Sequence, residues 1–217
     1  PNESLLAENR VLLGTGKDPA TRAMHMLRTQ ILQRMLANNW NSLAITSPGP
    51  QQGKTLTSIN LAISLAREVS YTVLLADCDF HNPSVHRYFG YEPDIGLGDY
   101  FTGDYTVGDI LFHPGFEHLV VLPTRQPIQS SSELLSSPDM LALVEELKTR
   151  YPERFVLFDL PPLLAVDDAL SFIPYVDAVL LVVEEGVTTH DDLHYSMDLL
   201  GNVPVLGTVL NKSGAQI

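Results

Sequence analysis

The sequence predicts an α/β fold: a doubly wound, mostly parallel sheet with helices on both faces. Three observations predict it. Six short runs are continuously apolar, segments with helical spacing separate several of them, and 45% of the 217 residues are hydrophobic, enough for one domain with a full core. Strands covered by helices on both faces need apolar residues at every position, so unbroken runs rather than alternation are the mark of a parallel sheet.

Residues 1–17 lack clear periodicity and read as an N-terminal arm; residues 18–217 read as a single domain. Asp18 is placed to cap a helix, with Pro19 at the first helical position. Ala20, Met24, Leu27, Ile31 and Met35 follow at helical spacing, which predicts a helix to about Ala37. The apolar runs then come at 43–45, 73–76, 119–122, 155–158, 178–183 and 205–210. Helical segments are expected at 55–67, 139–150, 168–173 and 191–200. Residues 82–114 are rich in Gly, Pro and aromatics and are expected to be loop with short helices. In such a fold a ligand sits at the carboxyl ends of the strands.

Thirteen basic against 26 acidic residues give a formal charge of −13, which argues against binding to nucleic acid or anionic lipid. No segment approaches the ~18 consecutive apolar residues of a membrane span. The chain opens on Pro1 with no signal-peptide pattern and is expected to begin at a cut inside a longer protein. Cys78 is the sole cysteine, so an internal disulfide or a multi-cysteine metal site is excluded and a reducing compartment fits.

The strongest local signal is Ser47-Pro48-Gly49-Pro50-Gln51-Gln52-Gly53-Lys54-Thr55, which leaves a predicted strand and opens a predicted helix. That context suits a phosphate-binding P-loop. Backbone N–H groups at a helix start can cradle phosphate, and Gly53 allows close approach. Lys54 can bridge the β- and γ-phosphates, and the Thr55 hydroxyl can ligate Mg²⁺. Gly49 to Leu56 form the candidate cofactor-binding stretch. The spacing is unusual, because the first glycine of the pattern is replaced by Pro48 and Gly49 comes one place late.

Asp77 and Asp79 end the run 73–76, and Asp159 ends the run 155–158. Three carboxylates near a triphosphate would repel it without a divalent cation, so Mg²⁺ is inferred, with Thr55, Asp79 and Asp159 as ligands, mostly through water. Asp77 is a candidate proton acceptor for an attacking hydroxyl. Asp167 and Asp168 read as helix caps. Asn211 ends the last strand, where its amide could read an adenine edge or serve as a turn residue. Glu184, Glu185, Asp191 and Asp192 read as a solvated acidic surface. Together these features describe a deviant-Walker P-loop domain that binds Mg·ATP.

The chain resembles the bacterial tyrosine kinases of polysaccharide export, called BY-kinases. The segments that carry the likeness include Met26-Leu27-Arg28-Thr29-Gln30, the P-loop with Pro50, and Leu74-Leu75-Ala76-Asp77-Cys78-Asp79. Others are Ser132-Glu133-Leu134-Leu135-Ser136-Ser137, Asp159-Leu160-Pro161-Pro162-Leu163-Leu164-Ala165 and Gly207-Thr208-Val209-Leu210-Asn211. The resemblance implies a cytoplasmic autokinase that phosphorylates tyrosine with ATP and Mg²⁺. It also implies a membrane-embedded chain-length regulator as partner, fused or separate, at the inner face of the bacterial membrane. In the family Lys54 would lie in the Walker A motif, Asp77 and Asp79 in Walker A′, and Asp159 in Walker B.

Family members form rings in which one subunit offers its tyrosine tail to the next. Here Arg22, His25 and Arg28 stand where the family carries Glu, Arg and Arg. A homo-oligomer is therefore an option, while a closed ring is not expected. The family's usual Arg after the second Walker A′ aspartate is His81, its usual P-loop Gly is Gln51, and its clustered C-terminal tyrosines are absent, the last being Tyr195. These departures keep two alternatives in play: a catalytically weak nucleotide-binding scaffold, and a spatial-regulator ATPase of the partition kind. The second usually needs another lysine near the start of the P-loop, where this chain has Gly49.

Overall fold

The computed structural model describes residues 2–13 and 18–214. All six apolar runs are strands: β1 (Ser42–Thr46), β2 (Thr72–Asp77), β3 (Leu119–Leu122), β4 (Arg154–Asp159), β5 (Ala178–Glu184) and β6 (Val205–Asn211). They form one parallel sheet in the order β3-β2-β4-β1-β5-β6. The alternation hidden inside each run now becomes visible. Leu43, Ile45, Val73 and Leu75 enter one core, while Ala44, Leu74 and Ala76 enter the core on the opposite face.

The helices are α1 (Glu3–Glu8), α2 (Pro19–Ala37), α3 (Lys54–Leu65), α4 (Val85–Tyr88), α5 (Leu97–Thr102), α6 (Val107–Ile110), α7 (Ser131–Leu135), α8 (Pro138–Thr149), α9 (Asp168–Phe172) and α10 (His190–Leu200). Helix α2 starts as the sequence predicts. Asp18 accepts from the Thr21 amide at 2.9 Å and from its hydroxyl at 2.7 Å, and Pro19 follows. Helix α3 is buried on almost every side, between the sheet and α2, which explains its apolar and small residues all round. Short helices α4 to α6 occupy the Gly- and Pro-rich stretch, as expected.

The first residues differ from the reading of an arm without periodicity. Six of them form α1, capped by Asn2, which accepts from the Leu5 amide at 3.3 Å. A helix of under two turns is too short for its period to show. Leu6 and Val11 nonetheless lie in the core beside α3. The Leu12 amide donates to Asn60 Oδ1 at 2.7 Å, and Asn9 Nδ2 donates to the Tyr88 carbonyl at 3.1 Å. Residues 14–17 of the arm lie outside the described residues. Because Leu6 is 1% exposed, Leu6→Ala is expected to destabilise the domain by about 3 kcal/mol, checked by urea denaturation. A loose arm would leave stability unchanged.

Candidate functional site

The strand order sets the site. β4 lies between β1 and β2, with Ile45 and Asp77 both in register with Asp159. The loop that leaves β1 and the acidic ends of β2 and β4 therefore meet at one point. The segment after β4 also zips onto the start of the loop. The Leu163 amide donates to the Ser47 carbonyl at 2.8 Å, and Leu164 to Pro48 at 3.1 Å.

The loop curves through two left-handed residues, Gln51 at φ +59° and Gly53 at φ +91°. Left-handed residues turn successive N–H groups to one side and make an anion-binding hollow. Gly49 and Pro50 form the outer arc. Gln52 is buried and folds back, its Oε1 accepting from the Gly49 amide at 3.2 Å. Leu56, in the first turn of α3, packs partly against the core. A Cβ at Gly53 would stand 2.0 Å from Asn211 Nδ2. That amide is held in place by donating to the Gln52 carbonyl at 2.9 Å.

At the foot of the loop Lys54 Nζ lies 2.6 Å from Asp79 Oδ2 and 3.9 Å from Asp159 Oδ2. Thr55 Oγ1 donates to Asp159 Oδ2 at 2.7 Å. Ser58 Oγ, one turn on, lies 2.9 Å from Asp159 Oδ1 and 2.9 Å from the Lys54 carbonyl. Asp77 Oδ2 accepts from the Ser84 and Val85 amides at 2.9 and 3.0 Å, which anchors the loop after β2. Asp77, Asp79, Asp159 and Lys54 are all buried. One ammonium thus faces three carboxylates. Asp79, Asp159 and the Thr55 hydroxyl present hard oxygen donors, the kind a magnesium ion takes, while among the described residues no three acidic, imidazole or thiol side chains converge to hold a metal by themselves.

Burial pushes the Asp77 carboxyl up to about 8, helped by the nearby Asp159 charge. Burial also raises Asp159, against the opposing pull of Lys54, Thr55 and Ser58. For Lys54, burial alone would lower the value, but Asp159 and Asp79 outweigh it and the net direction is up. The unfolded chain releases the Asp77 proton near the ordinary 3.8, the folded chain near 8. Between about 4 and 8 the folded state holds more protons, so stability falls as pH rises through that window and levels off above it. Asp77→Asn keeps an acceptor for both amides and removes the proton. Melting of the metal-free domain is expected to fall over this window in the wild type and to fall less in the variant, as read by thermal denaturation at several pH values.

All the predicted residues of the loop and the three aspartates meet here, and Asn211 joins them from β6. Three expectations on other residues need correction. Asp167 accepts no capping bond from its helix and instead takes one from Ser132 Oγ at 3.0 Å. Asp168 is 1% exposed and faces His81 Nε2 at 3.3 Å. The acidic surface is partly engaged, since Glu184 pairs with Lys212 at 2.8 Å and Asp192 caps α10 through Thr189. On α2, Arg28 pairs with Glu68 of the same chain at 3.3 Å, and His25 turns its Nε2 inward. The sequence reading missed Ser58 and Lys212. Ser58 could have been found from its place one helical turn after Lys54; Lys212 carries no such signal.

Residues 43–216 match the CbiA family, the CobQ/CobB/MinD/ParA nucleotide binding domain. The chain is similar to tyrosine-protein kinase YwqD of Bacillus subtilis strain 168, with 30% identity over 210 residues, 96% of this chain and 87% of that one. It is also similar to tyrosine-protein kinase etk of Escherichia coli K12, with 32% identity over 196 residues, 89% of this chain and 27% of that one. The crystal structure of the chimerical protein CapA2B2 superposes with a TM-score of 0.82 at 29% identity, covering 91% of this chain and 86% of that one. The fold and site define a nucleotide-binding P-loop domain of the MinD/ParA class. Within it, the chain belongs to the tyrosine-protein kinases of capsule and exopolysaccharide systems. It spans about a quarter of the length of the first curated relatives it matches, 26% in each.

Proposed function

We propose that this domain transfers the γ-phosphoryl group of ATP to protein tyrosine, on its own chain or a second copy, and so regulates capsule or exopolysaccharide synthesis and export. One observation carries the reading. The Lys54 ammonium stands between Asp79 and Asp159 directly below a hollow of backbone amides, which is a cationic and acidic floor suited to a metal-bound polyphosphate.

Thr55, Asp79 and Asp159 would hold Mg²⁺, which supplies charge neutralisation at the transferred phosphoryl group. In binding, Lys54 exchanges Asp79 for β- and γ-phosphate oxygens. The loop amides from Gln51 to Thr55 would hold the phosphates, since Pro50 has no N–H and the Gly49 amide is taken by Gln52 Oε1, so most of the catalysis is positioning and electrostatics. The tyrosine oxygen forms the new bond to phosphorus, ADP leaves, and the hydroxyl proton passes to Asp77. Asn211, with its Nδ2 on the Gln52 carbonyl, offers Oδ1 to an adenine amino group.

A membrane-embedded chain-length regulator is the proposed partner, bringing the domain to the inner face of the membrane. The likeness to the CapA2B2 chimera supports this. Among the described residues no helix is long and apolar enough to cross a membrane. Incubation of the full-length protein with γ-labelled Mg·ATP, followed by mass spectrometry, tests the reading. Phosphotyrosine is expected. Label released only as free phosphate would mark a switch ATPase, and binding without transfer would mark a scaffold; either would overturn the kinase assignment.

A further inference from the structure

Two neighbouring P-loop carbonyls are gripped by two neighbouring residues at the end of β6. Asn211 Nδ2 donates to the Gln52 carbonyl, and Lys212 Nζ donates to the Gln51 carbonyl at 2.8 Å. Gln51 is the non-glycine residue of the loop forced into the left-handed region, at φ +59°. A side chain there costs energy that glycine would not incur, so the residue relaxes unless something holds it. Its side chain is exposed and supplies no anchor of its own. Lys212 is itself held: Glu184 Oε2 lies 2.8 Å from Nζ, and Glu184 is the less exposed of the pair.

We infer that Lys212, oriented by Glu184, is a positioning residue that clamps the Gln51 peptide in its left-handed state and so keeps the phosphate hollow preformed. The inference rests on the nucleotide-binding reading of the loop and adds to it a device carried by this chain's own residues. A charged donor on a carbonyl makes a stronger bond than a neutral one and outweighs the local backbone cost. The clamp acts from outside the hollow, since the carbonyl it holds points to β6 while the loop's amides serve the phosphate. Binding to a preformed hollow avoids the ordering cost that a relaxed loop would add.

The test is a set of variants titrated with the non-hydrolysable Mg·ATP analogue by calorimetry. Lys212→Ala is expected to raise Kd by roughly tenfold and, in a parallel phosphotransfer assay with Mg·ATP, to raise KM with little change in kcat. Lys212→Arg is expected to keep most of the affinity. The deciding comparison uses a Gln51→Gly background, where glycine adopts the left-handed state unaided and Lys212→Ala should change Kd by less than about twofold. Equal losses in both backgrounds would show that Lys212 attracts the nucleotide by charge alone and would overturn the clamp, as would wild-type affinity for Lys212→Ala. Absence of binding by the wild-type protein would instead bring down the nucleotide reading, and the clamp with it.

Discussion

Lys54→Met is expected to abolish phosphotransfer, lowering the rate by about a thousandfold or more. Among the described residues the lysine is the one cation paired with these buried carboxylates, 2.6 Å from Asp79 and 3.9 Å from Asp159. Methionine has a similar shape and no charge, so the ammonium's share in stabilising the charge that grows on the transferred group is lost. The same loss leaves the buried carboxylates Asp79 and Asp159 without their cationic neighbour, which costs stability. Folding should therefore be confirmed by circular dichroism before phosphotyrosine is measured. Transfer at the wild-type rate by a folded variant would mean that the reaction happens elsewhere.

Gly53→Ala is expected to weaken nucleotide binding by roughly a hundredfold, because two costs combine. The residue sits at φ +91°, which alanine adopts only under strain, and its new methyl would meet Asn211 Nδ2 at 2.0 Å. Asn211 must then leave the Gln52 carbonyl, and the loop loses its shape on that side. Adding Asn211→Gly removes the clash but not the strained dihedral. It should recover part of the affinity, measured by calorimetry. Full recovery would mean that the dihedral is harmless; none would mean that the clash is.

Much of the fold was legible because its signals are local. Five strands are built on an unbroken apolar run, β6 being interrupted by Gly207 and Thr208, and Asp18-Pro19 marks a helix start. The P-loop and the aspartates were legible for a related reason: a strand end is a position in sequence, and a parallel sheet brings all strand ends to one side. What stayed hidden depends on residues far apart in the chain. Asp168 looks like a cap from its neighbours, yet it faces His81, which comes from the loop after β2. Lys212 reaches Gln51, which stands 161 residues earlier in the chain. Helix α1 is too short to show a period, and only its docking on α3 reveals Leu6 as a core residue.

The order in which the strands are made is not the order in which they lie. β1 and β2 emerge early but are not neighbours; the place between them belongs to β4, which arrives after β3. Until that late strand slots in, Asp159 is missing and the ends of β1 and β2 have nothing to bridge them. A nascent chain therefore carries the loop and the first two aspartates with no working pocket. Non-local pairing of this kind slows folding, and here it also delays the appearance of the site until most of the domain has left the ribosome.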